Sequence, residues 1–74
     1  MSPKEIRGNL GKMVHYKSER LGIDGAFLFS GAVFRRGEKG FYYQAELQTM
    51  NGVIYTSLEQ ITPISNNNSK NVLN

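Results

Sequence analysis

The stretch Phe41-Tyr42-Tyr43-Gln44-Ala45-Glu46-Leu47-Gln48-Thr49-Met50-Asn51-Gly52-Val53-Ile54-Tyr55-Thr56-Ser57 decides the fold. Within it, Asn51-Gly52 separates two runs in which aromatic or aliphatic residues alternate with polar ones. A two-residue hairpin turn needs positive φ at both central positions, and Asn-Gly meets that need with the least steric strain. The pair predicts Phe41–Thr49 and Val53–Ser57 as antiparallel partners. On the first strand Phe41, Tyr43, Ala45 and Leu47 share one face and are expected in the core, with Tyr42, Gln44, Glu46 and Gln48 facing solvent. On the second, Val53 and Tyr55 are expected to point inward and Ile54 outward.

Upstream, Gly37-Glu38-Lys39-Gly40 reads as a second turn, preceded by the long apolar stretch Ala26–Arg36. Phe27, Phe29, Gly31 and Val33 fall on one face of that stretch; Leu28, Ser30, Ala32 and Phe34 fall on the other. Glycine inside a strand marks a bulge or sharp bend, so the inward set is expected to switch near Ser30-Gly31. Ser18–Gly25, with two Gly and mixed charges, reads as a surface loop. Lys12–Lys17 reads as the first strand, with Val14 and Tyr16 inward. Ser2-Pro3-Lys4-Glu5 opens a short helix over residues 3–8, capped by Ser2 and Glu5, and Ile6 and Leu10 are expected to pack it onto the domain.

Downstream, Ser57-Leu58-Glu59-Gln60 fits one 3₁₀ turn with Ser57 as its cap. Ile61-Thr62-Pro63-Ile64 is a last short strand, confined to an edge by Pro63. Ser65–Asn74 holds five Asn among ten residues and is expected to be a flexible tail. The organisation is one domain over 1–64 and a tail over 65–74.

This order resembles a Src-homology-3-like small β-barrel, the shape shared by Tudor, KOW and chromo-barrel modules. The resemblance is carried by Gly11-Lys12-Met13-Val14-His15-Tyr16, by Asn51-Gly52-Val53-Ile54-Tyr55 and by Leu58-Glu59-Gln60-Ile61-Thr62-Pro63-Ile64. It covers residues 11–64 and implies a mainly β fold: a single five-stranded barrel with a short N-terminal helix. It is a likeness of pattern. The chain has no Trp and lacks the acidic loop of the peptide-binding signalling domains, so it carries over no ligand. A five-stranded oligonucleotide-binding barrel is the alternative, but it needs longer strands than Lys12–Ile64 provides.

The 74 residues leave room for one small core, and the absence of Cys removes disulfides, thiolate chemistry and Cys-ligated metals. A small secreted domain usually carries disulfides, and no apolar run approaches the ~20 residues that span a bilayer. Met1-Ser2-Pro3-Lys4-Glu5 lacks the apolar segment of a signal peptide. A cytoplasmic location without membrane contact is therefore expected. His15 is the lone His and the six acids are scattered, so neither a metal site, a cofactor nor a catalytic constellation is expected. No phosphate-binding glycine loop is present.

Net charge is +3, a mild excess that permits acidic partners without demanding them. The expected function is that of a non-enzymatic binding module, a bacterial or phage accessory protein, that engages a protein partner or associates with itself. The expected contact residues are Arg35, Arg36, Lys39, Tyr42, Gln44 and Ile54, because Arg and Tyr are enriched where proteins meet. The alternative is a nucleic-acid-binding surface of Lys12, Lys17, Arg35, Arg36 and Lys39, with rings beside the cations to stack on bases. A small-molecule substrate is not expected, because the core is too small to enclose one.

Overall fold

The computed structural model describes residues 1–64. The expected Asn-rich tail lies outside these residues. The described residues form five strands: β1 (Met13–Ser18), β2 (Ile23–Gly37), β3 (Gly40–Thr49), β4 (Gly52–Ser57) and β5 (Ile61–Pro63). They make one antiparallel sheet in the order β4-β3-β2-β1-β5. The expected closure into a barrel does not occur. β4 and β5 end the sheet on opposite sides, and no ladder joins them. A 3₁₀ turn, Leu58–Gln60, carries the chain from one to the other. It is capped by Ser57 Oγ, which accepts from the Glu59 N–H at 3.1 Å.

The core is built from Val14 and Tyr16 of β1, Phe29 of β2, Ala45 and Leu47 of β3, with Leu58 and Ile61 closing one end. Tyr16 and Phe27 meet edge to face, with ring centroids 6.0 Å apart. At the N-terminus Glu5 accepts from the Ser2 N–H at 2.8 Å, and a 3₁₀ turn at Pro3–Glu5 leads into the short helix α1 (Ile6–Asn9). Ile6 packs on the core as expected. Leu10, expected to do the same, is exposed, because the chain is already extended there as it leaves the helix. The amino group of Met1 donates to the carbonyls of Leu58 and Ile61 at 2.9 and 2.7 Å. That pins the segment to the turn between β4 and β5.

β2 is 15 residues long against six for β1 and β4. Its pairing with β3 runs Phe29↔Leu47, then Gly31↔Glu46, so Ser30 is an extra residue. This bulge sits where the glycine predicted a bend. It shifts the phase of the strand. Before it Phe27 and Phe29 face the core; after it Ala32 and Phe34 take that side, opposite Ala45 and Tyr43.

The β3–β4 hairpin corrects the expected turn. Thr49 pairs with Gly52, so the two linking residues are Met50 and Asn51. Among the described residues only glycines have positive φ; Gly52, at +133°, takes that conformation and Asn51 does not. Asn51 instead donates its N–H to Thr49 Oγ1 at 3.1 Å. The faces of β4 are also the reverse of those expected. Leu47 pairs with Ile54, which turns toward the core, while Val53 and Tyr55 lie on the outer face beside Gln48 and Glu46. The cause is the parity of the hairpin. Any two-residue link places odd positions of β3 opposite even positions of β4, so a buried Leu47 brings Ile54 in with it.

Candidate functional site

β1 pairs with β2 only as far as Leu28, and β4 pairs with β3 only as far as Gln44. Beyond those points β2 and β3 continue as a two-stranded ribbon that ends in the Glu38-Lys39 turn. At ~3.3 Å per residue β2 alone extends roughly 50 Å, in line with the 48 Å long axis of the molecule. The ribbon projects from the core, and both of its faces are open.

On the core-side face, Phe34, Phe41 and Tyr43 cluster. The Phe34 ring lies 5.0 Å from Phe41 at 12° and 4.9 Å from Tyr43 at 45°. Their exposures are 58%, 65% and 38%. Phe41 and Tyr43 were expected in the core. They occupy the predicted face, but they lie past the ends of β1 and β4, where no strand among the described residues covers them. Arg36 stands opposite Phe41 on the same face. Ring clusters of this kind gain about 0.5–1.5 kcal/mol per pair beyond area burial, so they hold the ribbon together and present a flat apolar surface.

The other face carries Arg35, Tyr42 and Gln44, with Tyr55 beside them on β4. Arg35 Nε donates to Gln44 Oε1, and its guanidinium carbon lies 6.0 Å from the centre of the Tyr55 ring. Tyr42 lies so close to Gly37 that a Cβ there would sit 3.0 Å from its ring. On this face Arg35 is thus engaged by Gln44 and by the Tyr55 ring. Tyr55 is absent from the predicted set because the reverse phase of β4 would have turned it inward.

The predicted contact set is therefore divided. Arg35, Tyr42 and Gln44 share the outer face, Arg36 lies on the ring face, and Lys39 is at the tip. Ile54 is half-buried against the core and belongs to neither surface. Lys12 and Lys17 do not join the others. Lys12 abuts Phe29 through backbone hydrogen bonding, and Lys17 pairs with Asp24, eleven residues from Arg35 along β2. At ~3.3 Å per residue these positions are roughly 20 and 36 Å of strand away from Arg35. Among the described residues neither Arg35, Arg36 nor Lys39 has a carboxylate within 4.0 Å.

A second cluster lies at the far end of the sheet. His15 Nε2 is 2.5 Å from Asp24 Oδ1, and both side chains are exposed. Nothing in the sequence pattern pairs Asp24; the diagonal β1–β2 neighbourhood supplies its partner. Thr62 stands opposite His15 on β5, but no hydrogen bond joins them. Ser18 is buried on the opposite face of β1, where its Oγ accepts from the Leu21 N–H at 3.2 Å. No hydroxyl among the described residues is hydrogen-bonded to the His15 ring, and a solvated surface contact of this kind contributes about 0–1 kcal/mol. Among the described residues no three His, Cys, Asp or Glu groups gather to hold a metal, and no helix is long and apolar enough to cross a membrane.

Compared with protein-family models, curated proteins and solved structures, the chain matches none.

Proposed function

We propose that this chain is a non-enzymatic binding module that engages a protein partner through the ring face of the β2–β3 ribbon. One observation carries the reading: Phe34, Phe41 and Tyr43 stack on a projecting ribbon with no strand among the described residues over them. Burying one such side chain is worth about 1.5–3 kcal/mol, and aromatic anchors next to Arg dominate the energetics of protein interfaces. Arg36 and Lys39, without internal carboxylate partners, supply the polar rim and favour an acidic partner. The outer face contributes less, because Arg35 is already held by Gln44 and by the Tyr55 ring. In fold terms the domain is an open form of the Src-homology-3-like arrangement. The support is the position of β5 beside β1, the 3₁₀ turn before it and the long bent β2. The lack of Cys fits a cytoplasmic setting.

A second reading, binding of single-stranded nucleic acid, is favoured by the three uncompensated cations beside exposed rings. One set of measurements separates the two. Affinity capture with the wild-type chain and with Phe34→Ala/Phe41→Ala should recover a protein that only the wild type retains. Oligonucleotide binding that falls steeply with salt, and is lost in Arg35→Glu/Arg36→Glu, would assign the ribbon to nucleic acid instead. Retention of the same protein by the ring-free variant would refute the ring face as the contact.

A further inference from the structure

The sheet has two ends, and they are built differently. β5 is three residues long and contains Pro63, which has no N–H to offer a neighbour. The ribbon edges carry Arg35, Arg36 and Lys39. Short strands, prolines and charges are the devices that keep an open edge from pairing with another chain. β4 has none of them. It runs for six residues, has β3 as its sole strand neighbour among the described residues, and the segment Met50–Leu58 holds neither a charged residue nor a proline. Its centre, Val53-Ile54-Tyr55-Thr56, is all β-branched or aromatic, the composition that favours strand pairing. Among the described residues no ladder forms along its other side, so alternate backbone N–H and C=O groups there have no strand partner.

We propose that the β4 edge is a docking surface whose occupant is β4 of a second copy of this chain, paired antiparallel across a two-fold axis. Three observations favour this occupant. Charge permits it here and opposes it elsewhere. Two copies meeting at β4 bring no like charges into register, whereas two ribbons meeting at their tips would oppose Arg35, Arg36 and Lys39. Arg35, whose guanidinium reaches the Tyr55 ring, comes from β2, two strands in, and is held by Gln44 and Tyr55. The outer-face side chains also suit a two-fold. Val53 and Tyr55 are 44% and 46% exposed, and with the two-fold through Ile54 antiparallel pairing sets Val53 of each copy beside Tyr55 of the other, where β-branched and aromatic cross-strand pairs are favourable. Finally, an isologous contact needs one self-complementary patch, and a neutral strand edge is such a patch. The product is one continuous sheet through both copies, with a ribbon projecting from each.

The test uses the full chain. Light scattering across a concentration series should show the mass rise from 8.3 kDa to twice that value, with the dimer filled by about millimolar protein. Val53→Lys/Tyr55→Lys places like charges opposite each other at the new seam and leaves the core face untouched, so it should stay folded by circular dichroism and remain at the monomer mass. Amide exchange of the wild type should slow in β4 as concentration rises and stay unchanged in β5. That measurement decides the matter if the lysine variant fails to fold. A wild-type chain that is monomeric at millimolar concentration overturns the proposal. So does a dimer that persists in the lysine variant, dissolves in Phe34→Ala/Phe41→Ala, or leaves β4 exchange unaltered. A monomer whose β4 accepts a strand from another protein also overturns it.

Discussion

Phe34 and Phe41 stack across the ribbon at 12°, a diagonal contact, since Phe34 pairs with Tyr43 and Phe41 with Arg36. Phe29, one residue before the bulge on the same strand, is wholly buried. The same residue type thus serves two purposes on the two sides of Ser30. Phe29→Ala should cost about 3–5 kcal/mol and leave a domain of this size largely unfolded. Phe41→Ala should cost about 1 kcal/mol, the value of a ring pair on an open surface. Urea titration followed by far-ultraviolet circular dichroism checks both.

The phase of β4 makes a second pair of expectations. Ile54 packs on the core and Val53 does not. Ile54→Ala should lower stability by about 2 kcal/mol, and Val53→Ala by about 0.5 kcal/mol. Equal losses in thermal melts, or the opposite order, would refute the register.

Glycine replacements should split in sign. At Gly52, φ is +133°, so Gly52→Ala should destabilise by about 1–2 kcal/mol. Gly8 lies in α1 without positive φ, and a methyl group added there would meet nothing within 4 Å. Gly8→Ala should therefore stabilise by about 0.5–1 kcal/mol. Denaturation midpoints of the two variants should move in opposite directions.

Removing Met1 takes away the donor to the Leu58 and Ile61 carbonyls, together with a side chain packed on the core. A chain starting at Ser2 should be less stable by about 1–3 kcal/mol. Amide exchange should quicken first at the Leu58–Gln60 turn. Unchanged exchange there would show that the contact does not hold the turn.

Much of the fold is legible in the residues. Alternation in Phe41–Thr49 places Ala45 and Leu47 in the core, Pro63 marks the edge strand, and Ser30-Gly31 marks the bend. The face of Ile54 is legible too, because a two-residue link, whether at Met50-Asn51 or at Asn51-Gly52, and a buried Leu47 imply it. Depth is not legible. Alternation says which side a residue faces and not whether another strand reaches far enough to cover it. Phe41 and Tyr43 are on the predicted side and exposed because β1 and β4 stop short. For the same reason the pattern alone does not reveal the stacked rings as a surface. Lys12 and Lys17 are separated from the tip by strand length, a quantity fixed only once both ends of β2 are known.

Ser30 absorbs one position without disturbing the ladder on either side, since Phe29 and Gly31 pair with successive residues of β3. Deleting it would leave every later side chain pointing the way it does now. What would change is the tilt of the strand, because an extra residue is what kinks it. The direction in which the molecule reaches and the chemistry it carries there are therefore written in separate places, and either could drift in evolution while the other stayed put.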